Sequence, residues 1–411
     1  MQQDIFSSAE ILLPDFEKIN AYQWSVIACD QFTSEPSYWK ETTEIVENAP
    51  SVLNLILPEI YLETPDVESR ITKIHEQMQD YFKQDIFKNY TNAMIYVERV
   101  QSDGKLRTGV IGKIDLECYD YHADSQSPVR ATEATVLERI PPRMRVRDKA
   151  ILELPHIMLL IDDSNNIAIG TCTAQKNQMQ KLYDTELMQN GGHVTGYLMN
   201  AEQQINFQEN LQKLFSGTGA LKFAMGDGNH SLATAKACYE ALKNSNPDVD
   251  FSNHPARYAL VELVNLHSDA LEFEAIHRIV MQTDTEKLLA YLTENLALSQ
   301  EPAEQFMIII KNNLEQKLYI HKPSSSLTVG SLQNALDNYL AENSGKIDYI
   351  HGIASLKKLS QQANSIGFLL PDMDKKLLFS SVEQDGALPR KTFSMGHAQD
   401  KRYYIEARKI K

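Results

Sequence analysis

Cysteine is scarce in this 411-residue chain, and its four cysteines lie far apart. Because Cys29, Cys118, Cys172 and Cys238 form no CxxC pair, the sequence argues against a structural zinc site. Long apolar runs are also missing: no segment approaches the roughly 18 consecutive apolar residues that a membrane-spanning helix needs. The N-terminal letters MQQDIFSSAEILLP lack the basic start and apolar core of a signal peptide. We therefore expect a cytoplasmic protein that makes no use of a membrane.

Positive charge is in short supply as well. The chain has 40 Lys and Arg against 55 Asp and Glu, which gives a net charge of −15. So acidic a chain is unsuited to non-specific binding of DNA, and nucleic acid is not the expected partner. Hydrophobic residues make up 43% of the sequence, enough for well-buried cores. The length predicts about two to three domains, or one large domain with insertions.

Strand and helix patterns follow one another without the regular alternation of a doubly wound sheet, which predicts a mixed α and β fold (α+β). Apolar residues recur every three or four positions over 66–85, as in a helix, and two strands joined by SDGK are predicted over 94–116. Residues 167–173 are predicted to be a strand that pairs with the buried strand 153–163. The pattern changes near residue 255, so we predict a region 1–254 that carries the site and a C-terminal α+β region 255–411.

The segment LKFAMGDGNHSLATAKACYE (221–240) combines a strand, a glycine-rich turn and the start of a helix. Gly226 and Gly228 permit positive φ and close backbone approach, and Ser231 is the predicted N-cap. Such a turn directs backbone N–H groups to one place, where the helix dipole favours an anion. His230 would add a donor there. A strand-to-helix turn that binds nothing has the same pattern, so both interpretations stay open.

Carboxylates at two strand ends are candidates for catalysis. Asp227 would hold a metal ion or a substrate hydroxyl. In WSVIACDQFTSEPSYW (24–39), Asp30 follows a buried strand, and a carboxylate at such an edge often faces a ligand crevice. Asp30 or Glu35 would act as a general base or a metal ligand. Cys29 is expected to be a core residue rather than a nucleophile, because the run before it is apolar.

Arginines are concentrated in VRATEATVLERIPPRMRVRD (129–148), which is unusual in so acidic a chain. The planar guanidinium group suits phosphate or carboxylate. The alternative is a helix whose arginines pair with acidic residues on its own surface. Arg278, in LEFEAIHRIV, would likewise reach an anion or lie on the surface opposite a core histidine. The glycine-rich segment 183–197 is interpreted as a long loop, with closure over a ligand as the alternative.

Several of these segments, in this order, resemble the family of domains of unknown function numbered 1015. They are VRATE…R followed by HIMLLIDD, GDGNHSLATA, LEFEAIHRIV and the C-terminal GFLLPDM…LPRKTFSMG…KRYYIEAR, which together span nearly the whole chain. The resemblance implies a ParB/sulfiredoxin-like core with large additional α+β regions. It also implies phosphate binding, often of a nucleotide, at a turn that opens a helix. Some relatives resemble the archaeal free-serine kinase and transfer phosphate to a small hydroxyl compound.

The family pattern resembles Asp-Gly-His-His-Arg and maps onto residues 227–231, where Asn229 stands in place of the first histidine and Ser231 in place of the arginine. The resemblance therefore implies an enzyme that phosphorylates a hydroxylated metabolite, with Mg²⁺ and ATP or ADP as cofactors. Together with the residue patterns above, the candidate catalytic residues are Asp30, Glu35 and Asp227, and Asp227 would also hold the metal. The candidate phosphate-binding residues are Gly228, Asn229, His230 and Ser231 of the family pattern, together with Gly226, Arg130, Arg143 and Arg278 from the residue patterns. The alternatives are a non-catalytic sensor of a small anionic ligand and a ParB-like DNA-binding protein or nuclease.

Overall fold

The computed structural model describes residues 4–312 and 314–411, which contain eleven α-helices and twenty-four β-strands. The helices are α1 (Ala21–Trp24), α2 (Pro36–Val46), α3 (Val67–Lys83), α4 (Ile140–Asp148), α5 (Ile169–Gln175), α6 (Ala201–Ser216), α7 (Asn229–Ser245), α8 (Thr285–Leu296), α9 (Thr328–Glu342), α10 (Ile353–Leu359) and α11 (Leu378–Asp385).

The first fourteen strands are β1 (Phe6–Ser7), β2 (Ala9–Pro14), β3 (Val26–Ile27), β4 (Phe87–Ala93), β5 (Ile95–Val100), β6 (Leu106–Asp115), β7 (Tyr119–Asp120), β8 (Val129–Arg130), β9 (Leu152–Glu153), β10 (Met158–Ile161), β11 (Gln180–Glu186), β12 (His193–Leu198), β13 (Phe223–Asp227) and β14 (Tyr258–Asn265). The remaining strands are β15 (Phe273–Ala275), β16 (His277–Met281), β17 (Leu298–Ser299), β18 (Gln305–Lys311), β19 (Leu314–Ile320), β20 (Lys346–Ile350), β21 (Ile366–Leu369), β22 (Phe393–Met395), β23 (Tyr403–Tyr404) and β24 (Arg408–Lys409).

The chain forms two compact units. The first runs through Ala131, continues over Thr135–Leu271 and ends with Gly396–Lys411, and the second comprises Thr132–Ala134 and Glu272–Met395. This division differs from the predicted boundary at residue 255. The reason is that β14 pairs with β6 and β10 of the first unit, and that the C-terminal strands β23 and β24 return to β3 and β9.

The first unit is built on a ten-stranded sheet. The strand order is β11-β12-β5-β6-β14-β10-β13-β8-β7, and β1 pairs with β6 outside this order. Neighbouring strands are antiparallel except for three parallel pairs, which are β14 with β10, β13 with β8, and β8 with β7. Because successive side chains of a strand point to opposite faces, Ile95 and Val97 join one hydrophobic cluster while Tyr96 joins the other. Both faces of the sheet are therefore covered by apolar packing.

The second unit contains an antiparallel six-stranded sheet with the order β17-β19-β18-β21-β16-β20. Helices α8 and α9 contact each other, and α10 contacts β16 and β21. Ile279, Ile310, Ile350 and Leu356 form a buried cluster in this unit.

The predicted mixed α and β class is confirmed. The helix predicted over 66–85 is α3, and the strands predicted over 94–116 are β5 and β6, which pair as a hairpin. The strand predicted over 167–173 is wrong, because this segment forms α5. Both carboxylate oxygens of Asp163 accept backbone N–H groups, from Ile167 at 3.0 Å and Ala168 at 2.8 Å, and thereby favour a helix start at this position.

The glycine-rich segment 183–197 is not a long loop. It contributes to β11 and β12, which pair in register from Gln180 with Leu198 to Glu186 with His193. Gly196 lies where a side chain would collide with the ring of Tyr183, so glycine here serves strand packing. No helix among the described residues combines the length and apolar composition required to cross a membrane.

Candidate functional site

The turn between β13 and α7 reverses the chain at Gly228. Gly228 has φ +78°, and a Cβ atom at this position would lie 3.0 Å from Cα of Ile157, so only glycine fits without strain. Gly228 is the N-cap of α7, and the amide of Leu232 donates to its carbonyl at 3.0 Å. The prediction of Ser231 as N-cap is wrong, since Ser231 lies inside the first turn. Asn229, His230 and Ser231 supply the first-turn amides, where the helix dipole is positive.

Two strand pairs bring distant residues to this turn. The pairing of β10 with β13 sets Met158 opposite Asp227, so His156 lies just before the same edge. The pairing of β3 with β23 sets Ile27 opposite Tyr403, and the amide of Ala28 donates to the carbonyl of Arg402 at 2.9 Å. Because β3 ends at Ile27, Asp30 lies three residues beyond this buried strand, in the turn that follows it.

The polar side chains at these strand ends form one connected cluster. Asp30 Oδ2 lies 3.7 Å from His156 Nε2, and His156 Nδ1 shares a hydrogen bond of 2.6 Å with the hydroxyl of Tyr404. Asp227 Oδ2 lies 3.3 Å from Nζ of Lys401, and Asp227 Oδ1 accepts the amide of the following glycine at 2.8 Å. Sequence reasoning found the two aspartates but missed the histidine, the tyrosine and the lysine.

Charge interactions outweigh burial for the pair of buried His156 and half-buried Asp30. Burial lowers the pKa of His156, but the carboxylates of Asp30 and Asp227 outweigh it and raise the pKa above its usual value. Burial raises the pKa of Asp30, but the positive charges of His156 and Lys401 outweigh it and hold the pKa well below its usual range. Asp30 therefore stays ionised at neutral pH, and His156 keeps its proton to a higher pH than a free histidine.

Glu59 is a second carboxylate at this place that the sequence did not reveal. Its amide donates to the carbonyl of Cys29 at 2.9 Å, and its carboxylate forms an ion pair with Arg143 of α4. Burial raises the pKa of Glu59, Arg143 lowers it, and the nearby charge of Asp30 raises it, so that the pKa lies above the usual value overall. Glu59 thus accepts a proton more readily than an ordinary glutamate and than Asp30.

A cavity of about 150 Å³ adjoins this cluster. Its polar lining includes Asp30, Glu59, Arg143, His156, His230 and Ser231, and its remaining wall is mostly aliphatic. The first turn of α7, the predicted Arg143 and the carboxylates of Asp30 and Glu59 therefore line one cavity. Cys29 also lines it and is half-buried, so it is not a core residue; burial and the charge of Asp30 raise the pKa of the thiol to about 12, which disfavours a nucleophilic thiolate.

The other predicted site residues lie elsewhere. Glu35 precedes α2, is exposed, and does not line the cavity. Arg130 in β8 is buried, and its Nε donates to the carbonyl of Ser127 at 2.7 Å. Arg278 in β16 is fully buried, not on the surface as one interpretation had it, and it donates to the carbonyls of Arg390 and Lys391 within the second unit. The predicted roles of Glu35, Arg130 and Arg278 stay predictions.

The arginines of α4 were predicted either to bind phosphate or carboxylate or to pair with acidic residues on their own helix, and neither interpretation describes them completely. Each pairs with a glutamate outside the helix: Arg143 with Glu59, Arg145 with Glu68, and Arg147 with Glu153. They therefore anchor α4 to other elements of the first unit, and Arg143 does so at the cavity. Among the described residues, no group of three or more His, Cys, Asp or Glu side chains is arranged to hold a metal ion.

The chain belongs to the family described as "Protein of unknown function (DUF1015)", whose model matches residues 14–339. The predicted family membership is thus confirmed, and the ParB/sulfiredoxin-like core stays an implication of the resemblance. The matched range includes Asp30, Glu59, His156 and the turn at 226–231, whereas Lys401 lies beyond it. The search of curated proteins found no match.

Solved structures that align with this chain include a free serine kinase in complex with AMP. The alignment has a TM-score of 0.39 and 10% identity, and it covers 72% of this chain and 91% of the kinase chain. A variant of free serine kinase in complex with ADP has TM-score 0.40 and 10% identity, covering 74% and 93%. SbnI with C-terminal truncation from Staphylococcus aureus has TM-score 0.37 and 10% identity, covering 70% and 82%. Likeness at this level supports no statement about the ligand of this chain.

Proposed function

We propose that the protein binds a nucleotide with its phosphates at the N-terminus of α7 and transfers a phosphoryl group to the hydroxyl of a small metabolite. One observation carries the proposal. The first turn of α7, through His230 and Ser231, lines the same cavity as Asp30, Glu59 and Arg143. The N-terminus of a helix and an arginine can bind phosphate, and a carboxylate can accept the proton of an attacking hydroxyl. The cavity therefore has groups for both the nucleotide phosphate and the acceptor hydroxyl.

The charges of the cluster favour a metal–nucleotide complex over bare phosphate. Each cation already faces a carboxylate: Arg143 faces Glu59, Lys401 faces Asp227, and His156 faces Asp30. A bare phosphate would have to displace carboxylates, whereas a Mg²⁺–phosphate complex offers positive charge to the carboxylates and negative charge to the cations. Mg²⁺ is usually held by one or two carboxylates together with phosphates and water, so Asp227 and Asp30 fit this role. Bound Mg²⁺ would neutralise charge on the transferred group.

Arg143 and Lys401 together would supply the positive charge of the arginine that Ser231 replaces. Arg143 lines the same cavity as Ser231, and Lys401 pairs with Asp227, the residue before Gly228. Both provide positive charge next to the first turn of α7, where phosphate oxygens would lie. Positioning and charge stabilisation are the main contributions that a protein makes to phosphoryl transfer.

Glu59 is the proposed proton acceptor. In the proposed step the acceptor oxygen attacks the terminal phosphorus, the bond between that phosphorus and the bridging oxygen breaks, and the hydroxyl proton passes to Glu59. The raised pKa of Glu59 suits this role, whereas the lowered pKa of Asp30 suits a carboxylate that stays charged and orients its partner.

Isothermal titration and thermal-shift assays with ATP, ADP, CTP and pyrophosphate, each with and without Mg²⁺, test the binding. We expect Mg²⁺-dependent binding that Asp227→Ala and His230→Ala weaken at least about tenfold, because each removes a polar group beside the phosphates. Asp250→Ala and His122→Ala, at exposed positions, are the matched controls and keep the wild-type affinity. No binding by the wild type, or equal binding by the two site variants, would refute the phosphate site.

Labelled ATP incubated with a pool of hydroxylated metabolites tests the transfer. A new phosphorylated product supports the kinase. Nucleotide binding without any product supports instead a non-catalytic sensor built on the same site.

A further inference from the structure

We propose that the cavity beside Asp30 and Glu59 is a pocket for the apolar body of the acceptor, so that the substrate is a small alcohol with an apolar group about the size of a benzene ring. This inference rests on the proposed function, because it assigns the acceptor of that reaction. It commits to an amphipathic alcohol, in contrast to a polyol or a hydroxy amino acid.

Aliphatic side chains form most of the cavity wall outside the polar cluster. Leu55, Leu57, Met78, Ala150 and Leu152 all line it, and each is at least nine-tenths buried. They come from the segment after α2, from α3, from the segment after α4 and from β9, and all five belong to the main hydrophobic cluster of the first unit.

The charged residues of the wall outside the cluster are already paired. Glu153 Oε2 accepts from Arg147 at 2.6 Å, and Glu153 Oε1 accepts from Arg408 at 2.7 Å and from the amide of Leu260 at 2.8 Å. Both carboxylate oxygens are thus engaged within the protein. A ligand in this part of the cavity meets chiefly apolar surface.

The size of the cavity limits what it can hold. The cavity has a volume of about 150 Å³, which is about the volume of an apolar cavity that admits benzene. A whole nucleotide needs a pocket of roughly 300 Å³ or more, so the nucleotide would extend outside. A nucleobase alone would leave its ring nitrogens and amino group without partners against this wall, which costs free energy. The apolar group of a small alcohol has no such cost and gains dispersion contacts.

The carboxylates fix the orientation of such an alcohol. With its apolar group in the cavity, its hydroxyl reaches the polar lining, where Glu59 accepts the proton and the first turn of α7 faces the phosphate. The same cavity then selects the acceptor by size and polarity, while the turn at Gly228 selects phosphate.

Ligand-observed NMR and thermal shift on the full chain, without nucleotide, test the pocket. We expect benzyl alcohol to bind and glycerol and serine not to bind. Val146→Phe and Ala150→Leu each add volume at the wall and weaken benzyl alcohol at least about tenfold, because the lost space excludes the ring. Val249→Phe, at an exposed position, is the matched control and leaves binding unchanged.

Equal binding of benzyl alcohol by Val146→Phe, binding of glycerol in preference to it, or displacement of it by adenosine would overturn the inference. If Ala150→Leu raises the melting temperature and leaves the binding of benzyl alcohol unchanged, the cavity is a packing void. That result also overturns the inference. If both variants fail to fold, a wild-type series from methanol through propanol to benzyl alcohol decides, since affinity must rise with apolar size. Failure of the phosphoryl-transfer proposal is separate: nucleotide and pyrophosphate then do not bind, whatever the alcohols do.

Discussion

Asp30 and His156 show at the residue scale how charge overrides burial. His156 is 5% exposed and lies between a carboxylate and the hydroxyl of Tyr404, and its pKa is nevertheless raised. The stability that this histidine contributes is present below its ordinary pKa of about 6.5 and is lost as pH rises through the higher folded pKa.

Asp30→Asn tests this account of the pKa. Without the aspartate charge, burial dominates, and the pKa of His156 falls below its wild-type value. NMR titration of the histidine ring signals measures the change. His193 is the control, because its pKa is raised by Asp184 and Glu186 and does not respond to Asp30. An unchanged midpoint for His156 in the variant would contradict the dominant role of Asp30.

Glu59→Gln tests the proposed proton acceptor. The amide keeps the shape of the side chain but cannot take the hydroxyl proton, so turnover falls by about 10²–10⁴-fold while nucleotide affinity stays within a few-fold. Steady-state kinetics together with isothermal titration separate the two quantities. If turnover falls equally in Glu59→Gln and in the exposed control Glu63→Gln, Glu59 is not the proton acceptor.

The turn that opens α7 is the element on which the phosphate site depends. Gly228→Ala forces a side chain into a left-handed backbone conformation and against Ile157, so it lowers the free energy of unfolding by about 1–2 kcal/mol or more and weakens nucleotide binding. Gly217→Ala at the end of α6 is the control, because φ is −106° and nothing lies within 4 Å of the added Cβ. Chemical denaturation and titration check both variants. Wild-type affinity in Gly228→Ala would show that phosphate does not depend on this turn.

Sequence patterns predicted elements better than they predicted their ends and partners. The periodic helix α3 and the hairpin of β5 and β6 follow from local spacing, which is a property of neighbouring residues. The pattern at 167–173 predicts a strand, whereas two backbone hydrogen bonds to Asp163 favour the helix that forms there. The segment at 183–197 has its glycines in strand positions because the ring of Tyr183 occupies the space beside Gly196, a contact that spacing does not reveal.

A buried network of charges ties the C-terminal segment to the central sheet of the first unit. Arg402 donates to Glu262 at 2.8 Å and to Glu406 at 2.6 Å, and all three are at least nine-tenths buried. Arg402→Met would leave two buried carboxylates without their shared cation and lower stability by about 3–5 kcal/mol. Arg145→Met, at a partly exposed ion pair, changes it by less than about 1 kcal/mol. Thermal and urea unfolding measure the stability of both variants. Similar losses of stability in Arg402→Met and Arg145→Met would contradict the stabilising role of the network.

The sequence by itself determined the family, the mixed α and β class, and the glycine turn at 226–231, because these follow from local patterns and their order. It also singled out Asp30 and Asp227 as carboxylates near the ends of strands. Only the tertiary structure decided that His156 and Glu59 join them, since β3, β10, β13 and β23 meet across hundreds of residues. The cavity likewise belongs to the tertiary structure, because its wall is assembled from segments that have no common sequence pattern.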